Sequence, residues 1–187
     1  HLLSRRQRQM CIRDRCKLEL LMKQAEITVE DRKVTIVALE REKNENGNPA
    51  MAIELRDGTI VSGGTSELLG AASSALINAL KVLAGIDKEV KLIDPKAIDP
   101  IQDLKINYLG SKNPRLHTDE VLTALSATAA NNEIAMKAMK KLPLLKGCDA
   151  HSTVLLSSVD EQIFKKLGIQ LTCEPKYEED ERMYHKN

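Results

Sequence analysis

With 187 residues, 42% of them hydrophobic, the chain is long enough for one globular domain with a real core. Three tyrosines, one phenylalanine and no tryptophan leave that core to Leu, Ile, Val, Ala and Met, and withhold the stacking platforms used by single-stranded nucleic acid binders. The formal charge of +1 hides an asymmetry: residues 1–15 carry five arginines against Asp14, leaving 23 basic and 26 acidic side chains in a mildly acidic remainder, ill suited to nucleic acid or an anionic membrane.

Residues 1–15 show no apolar periodicity and no signal-peptide core. A basic arm is one reading. The other is that Ser4–Arg15 resembles translated sequencing-adapter DNA at the edge of a metagenomic contig, which makes the segment non-native and the rest a fragment. Lys17–Ala25 reads as the end of a helix from a truncated upstream helical subdomain, taken as residues 16–27. An α/β subdomain is expected over residues 28–174, followed by a charged tail, 175–187, with an acidic cluster at Glu178–Glu181.

Within that subdomain Thr28 is a candidate cap for a helix that runs to Lys43. Asp57-Gly58 between Ala50–Leu55 and Thr59–Ser62 predicts a hairpin. Gly63-Gly64-Thr65-Ser66 then leads into an apolar run, Glu67–Ile86, read as a buried helix capped by Thr65 or Ser66; Asn78, Lys81 and Glu67 argue against a membrane span. Glu89–Ile93 reads as a short strand, and Asp94-Pro95 and Asp99-Pro100 as two helix starts. Helices follow at Thr118–Ala130 and Glu133–Lys141. A strand at His151–Ser157, a capping box at Ser158-Val-Asp-Glu161, a stop at Gly168 and a strand at Ile169–Cys173 make a β-α-β unit, which favours parallel pairing. The order implies an open mixed sheet covered by helices in a three-layer α/β sandwich. Four cysteines, at 11, 16, 148 and 173, form no Cys-x-x-Cys pair, so a reducing compartment, the cytoplasm, is expected.

Candidate chemistry gathers in two polar turns, Asn107–Thr118 and Gly147–Thr153. Asn107, Lys112, Asn113, Arg115 and Thr118, with the start of the following helix, are candidates to hold a phosphate or carboxylate. Ser152 and the glycine-rich turn Gly63, Gly64, Thr65 and Ser66 are further candidates for the same ligand, although the Walker spacing is absent. His117, Glu120 and His151 are the candidate acid–base groups. His117 and Glu120 with Cys148 and His151 are also admissible zinc ligands. The bland alternative makes Thr118 a cap, Glu120 a dipole partner, His117 a ring bonded to a nearby carbonyl, Cys148 a gap filler and His151 a satisfied strand histidine. No particular cofactor is indicated.

Leu20-Leu-Met-Lys-Gln-Ala25, Leu68-Leu-Gly-Ala-Ala72, Asn107-Tyr-Leu-Gly110, Asn113–Leu122 and Gly147–Thr153 together resemble the C-terminal part of the domain of unknown function 1846 family of uncharacterised bacterial proteins. The resemblance implies a cytidine-deaminase-like layout and a missing N-terminal part as partner. No activity comes with it. Zinc deaminases place a His-x-Glu after the first hairpin and a Pro-Cys-x-x-Cys at a second helix start; here the first position reads Thr65-Ser66-Glu67 and the second motif is absent, so deaminase chemistry is not expected there. Three functions stay open: part of a small-anion site in an enzyme or binding protein, a structural or homo-oligomerising subdomain, and a His/Glu/Cys/His metal site.

Overall fold

Among the described residues four strands form one mixed sheet in the order β2-β1-β3-β4: β1 (Ala50–Glu54), β2 (Ile60–Gly64), β3 (Asp149–Ser152) and β4 (Gln170–Cys173). The computed structural model describes residues 16–28 and 31–177, so the basic segment 1–15 and the acidic cluster Glu178–Glu181 lie outside the described residues. The chain divides into two compact units after Lys33. In the first, residues 16–24 form helix α1, on which Leu18, Leu20 and Leu21 are exposed. Thr28 there hydrogen-bonds Asp31. It does not cap the next helix, α2, which opens only at Lys33 and runs to Asn44.

In the second unit the hairpin is as expected. Gly58, at φ +83°, and a Leu55–Thr59 backbone bond close it. β1 pairs antiparallel with β2 and with β3, while β3 and β4 pair in parallel around α7 (Ser158–Leu167). Alternate residues therefore face opposite sides of the sheet. Ala52 and Ile60 meet Val34, Val37 and Ala38 of α2 on one face. On the other, Met51, Ile53 and Ala150 join the main core with Leu76 and Leu80 of α3 (Ala71–Ala84), Val121 and Leu125 of α5 (Thr118–Ala129), Ala135 of α6 (Glu133–Met139) and Phe164 of α7. Helices thus cover both faces of the sheet, and each fully buried leucine stabilises this core by about 1.5–3 kcal/mol.

Glycine decides how close α3 comes. A Cβ on Gly63 would lie 2.2 Å from the backbone nitrogen of Ala75, so only glycine lets strand and helix backbones touch there. Gly63 and Gly64 accordingly sit in strand β2 and form no turn. No described helix is long and apolar enough to cross a membrane.

Several boundaries differ from expectation. α3 starts at Ala71, four residues after Glu67, because Ser66 closes a local turn with Leu69 and Leu69 pairs with Leu116 in a parallel bridge. Residues 89–93 form no strand; Leu92 and Ile93 are buried against the core and leave the sheet to others. Asp94 caps α4 (Pro95–Asp103) through the Lys96 amide, but Pro100 lies inside that helix and starts no new one. α4 then widens into a π turn at Leu104–Tyr108. β3 ends at Ser152: the Ser152 hydroxyl bonds the Val154 carbonyl and turns the chain out of the sheet. α7 is capped by Ser157, one residue earlier than the predicted box.

Candidate functional site

A narrow cleft of about 50 Å³ lies where the end of the hairpin, the start of α3, the 113–117 loop and the 154–157 loop converge. Its floor is the first turn of α3. Gly70 occupies the N-cap position and has no side chain to cap with, and the amides of Ala71, Ala72 and Ser73 make no hydrogen bond among the described residues. A helix N-terminus left in this state carries partial positive charge toward the cleft. Leu116 fixes the opposite wall: its amide donates to the Leu68 carbonyl at 2.9 Å, and its carbonyl accepts the Ser73 hydroxyl at 2.9 Å.

His117 stands on that wall as the N-cap of α5. Its Nδ1 lies 3.0 Å from Oδ2 of Asp160. Thr118 donates to the other carboxylate oxygen through both its amide (2.9 Å) and its hydroxyl (2.8 Å), and the Ser157 hydroxyl donates to Oδ2 at 2.7 Å. Asp160 is thus a buried carboxylate with every lone-pair direction in use. Because an ionised carboxylate only accepts, the proton of neutral His117 sits on Nδ1. Nε2 has no hydrogen-bond partner among the described residues, and 27% of the ring's side-chain surface is exposed.

The hydrogen bond that His117 donates to Asp160 raises the His117 pKa above the ordinary histidine value, against the opposing effect of burial. For Asp160, burial pushes the carboxyl up, but the hydrogen bonds from His117, Thr118 and Ser157 outweigh it and hold the pKa below the usual carboxylate range. Ser157 and Asp160 both address Nδ1, with the serine oxygen 3.5 Å away. A serine-hydrolase relay needs the two on opposite ring nitrogens, so this is a His–Asp pair with a helix-capping serine.

The remaining predicted residues divide between this cleft and elsewhere. Thr65, Asn113 and Arg115 line it with His117. Asn113 shapes the loop by accepting the Arg115 amide at 3.0 Å. Thr118 lies behind the wall, fully buried on Asp160. Glu120 reaches back to the His117 amide at 2.7 Å and pairs with Lys105 Nζ at 2.8 Å, which holds the helix start and occupies the carboxylate. Lys112 is exposed on the loop, and Asn107 bonds Asp103 on the π turn. Ser66 is used in its own turn, Ser152 is buried under Val154, and Gly63 and Gly64 lie in the strand.

His151 belongs to a different cluster, with Thr172 at 2.8 Å and Glu174 at 3.3 Å. Cys148 is buried against the Leu144 carbonyl, and burial raises its thiol pKa. Among the described residues no three His, Cys, Asp or Glu side chains are grouped to hold a metal ion. The residues that sequence reasoning missed are Asp160, Ser157 and Lys105. Only the spacing of Ser157 and Asp160, that of an N-cap and its third helical residue, hinted at the first two.

Fold and site together define an α/β domain that presents a helix N-terminus and a histidine–aspartate pair to a small cleft. Residues 30–184 match the family described as domain of unknown function DUF1846, C-terminal, and the chain belongs to that family. Similar relatives are each named only as a UPF0371 protein. One from Corynebacterium glutamicum (strain R) is 54% identical over 162 residues, 87% of this chain and 32% of the relative. Another, from Streptococcus thermophilus (strain ATCC BAA-250 / LMG 18311), is 52% identical over 170 residues, 91% of this chain and 34% of its own length. A third, from Streptococcus sanguinis (strain SK36), is 54% identical over 171 residues, 91% and 34%. The chain spans about a third of the length of the curated relatives it matches.

Proposed function

We propose that this subdomain contributes one wall of a small-anion site, taking a phosphate or carboxylate group, with His117 as the acid–base residue and the rest of the site supplied by the upstream part of a longer cytoplasmic protein. The observation that carries the reading is the convergence, in one cleft, of the uncapped α3 amides with Arg115 and His117. Amides and guanidinium supply charge-assisted donors. Asp160 orients the imidazole so that Nε2 meets the ligand, accepting a proton when neutral and donating one when charged. At about 30 Å³ for a water-sized group, the cleft of about 50 Å³ takes one or two oxygen atoms of the anion and leaves the remainder to the rest of the site.

The hairpin followed by α3 and the parallel β3-α7-β4 unit support a cytidine-deaminase-like layout. Thr65-Ser66-Glu67 offers no zinc chemistry at the corresponding place. A purely structural or oligomerising role drew its motive from the apolar α3, which buries most of its length in its own core, and from the entry helix α1, on which Leu18, Leu20 and Leu21 are exposed.

The test is a titration of the ¹⁵N-labelled chain with inorganic phosphate and with acetate. The amides of Ala71, Ala72 and Ser73 are expected to shift saturably, and Arg115→Ala and His117→Gln to weaken binding by about tenfold each, the equivalent of roughly 1.4 kcal/mol. Unmoved amides, or variants that bind as the parent does, refute the reading.

A further inference from the structure

A second concavity lies on the other side of the 64–70 turn, between α3, the segment after it and α4, with a volume of about 320 Å³. That is at the low end of small-molecule cavities, which run from about 300 to 1,000 Å³. Its floor is aliphatic: Leu68, Leu69, Ile77, Leu92, Ile93 and Ile98. Its polar rim is cationic, with Arg41 from α2, Lys81 from α3 and Lys91 from the 85–94 segment, and among the described residues no acidic side chain lines it.

The three cations are held differently. Arg41 is tied to Glu45 at 2.6 Å, which fixes its direction and partly neutralises it. Lys81 donates one of its three protons to the Lys88 carbonyl at 2.8 Å and keeps the others for a ligand. Burial lowers its pKa, while Glu89 and Asp87 act in the opposite sense. Lys91 is exposed and can swing over the mouth. Asn78 is anchored on the Ser62 carbonyl at 3.0 Å, which leaves its side-chain oxygen as an acceptor at the same wall.

An aliphatic floor under a rim of one charge sign is complementary to a molecule that is apolar at one end and anionic at the other. We propose that this cavity is a second ligand site, for an amphipathic aliphatic carboxylate whose chain lies on the Leu/Ile floor and whose head meets Lys81 and Lys91. At about 30 Å³ for a water-sized group the space holds roughly ten non-hydrogen atoms. It is separate from the small-anion cleft, shares no lining residue with it, and does not depend on that assignment.

The test is isothermal titration of the chain with octanoate, butyrate and octylammonium. Octanoate is expected to bind saturably and at least about tenfold more tightly than butyrate, since each buried methylene adds to the affinity, and octylammonium to bind at least about tenfold more weakly than octanoate. In the double variant Lys81→Glu, Lys91→Glu the head-group preference should reverse, with octylammonium now the better ligand and unfolding still cooperative. If the double variant does not fold, Lys91→Glu alone, at an exposed position, should weaken octanoate severalfold. Three results overturn the proposal: no saturable octanoate binding, equal binding of octanoate and octylammonium by the parent chain, or octanoate affinity indifferent to charge reversal.

Discussion

His117 and His151 each lie beside a carboxylate, and their surroundings give the same ring opposite uses. His151 is almost enclosed, with 5% of its side chain exposed, Thr172 on one ring nitrogen and Glu174 near the other. His117 commits only Nδ1, to Asp160, and leaves Nε2 at the edge of a cleft. A histidine enclosed inside a sheet, bonded through Nδ1 to Thr172, is a packing and hydrogen-bonding element; the one oriented by a buried carboxylate and open on the far side is the ring on which the proposed acid–base role rests.

The sharpest way to break this comparison is Asp160→Ala. Two donors from Thr118, the Ser157 hydroxyl and His117 would lose their acceptor inside the fold. Removing one member of a buried charged network costs about 3–5 kcal/mol, and urea unfolding should show a loss in that range. A loss under about 1 kcal/mol would mean that the carboxylate is not the support described. His151→Ala comes next, with an expected loss of about 2 kcal/mol from its cavity and broken hydrogen bonds. It should leave phosphate binding unchanged; a changed affinity would erase the distinction between the two rings.

The third effect is a pH dependence. Folding raises the His117 pKa, so its stabilising contribution is complete below the ordinary histidine value of about 6.5 and disappears as pH rises through the raised value. Urea unfolding followed from about pH 5 to 9 should show this decline in the parent chain and lose that component in His117→Gln. Asp160 acts in the opposite direction. Its lowered pKa makes a contribution that is present above the ordinary carboxyl value of about 3.9 and vanishes as pH falls through the folded value. Phosphate affinity should rise as His117 gains its proton. The smallest effect on stability is expected for Arg115→Ala, at most about 1 kcal/mol, with a clear loss in phosphate titration.

Local chemistry was legible in the sequence where one turn or cap decides the outcome. Asp57-Gly58 announces the hairpin, Asp94 caps α4, and Gly85 and Gly168 end α3 and α7 in left-handed conformations. The polar density of residues 107–118 pointed to the wall that bears Asn113, Arg115 and His117. Asp160 was hidden because its partners His117 and Thr118 are distant in the chain, while the nearby serines invited a purely local capping explanation. The start of α3 was misplaced for a related reason: the Leu69 pairing with Leu116 is non-local and overrides the good helix formers Glu67, Leu68 and Leu69. Gly63 announced an unusual backbone need, but only the packing shows that the need is contact with α3 and not an anion-binding turn.

Leu116, buried and bonded to the turn before α3 and to Ser73 inside it, clamps the two walls of the cleft together. Its amide proton should therefore be among the slow hydrogen-exchange sites of the loop, released only when the α3–α5 region opens as a unit. For the anion proposed above this is a question of time: these two walls need not find each other after the encounter, so association should follow ligand concentration linearly, without the plateau that a slow closing step would impose.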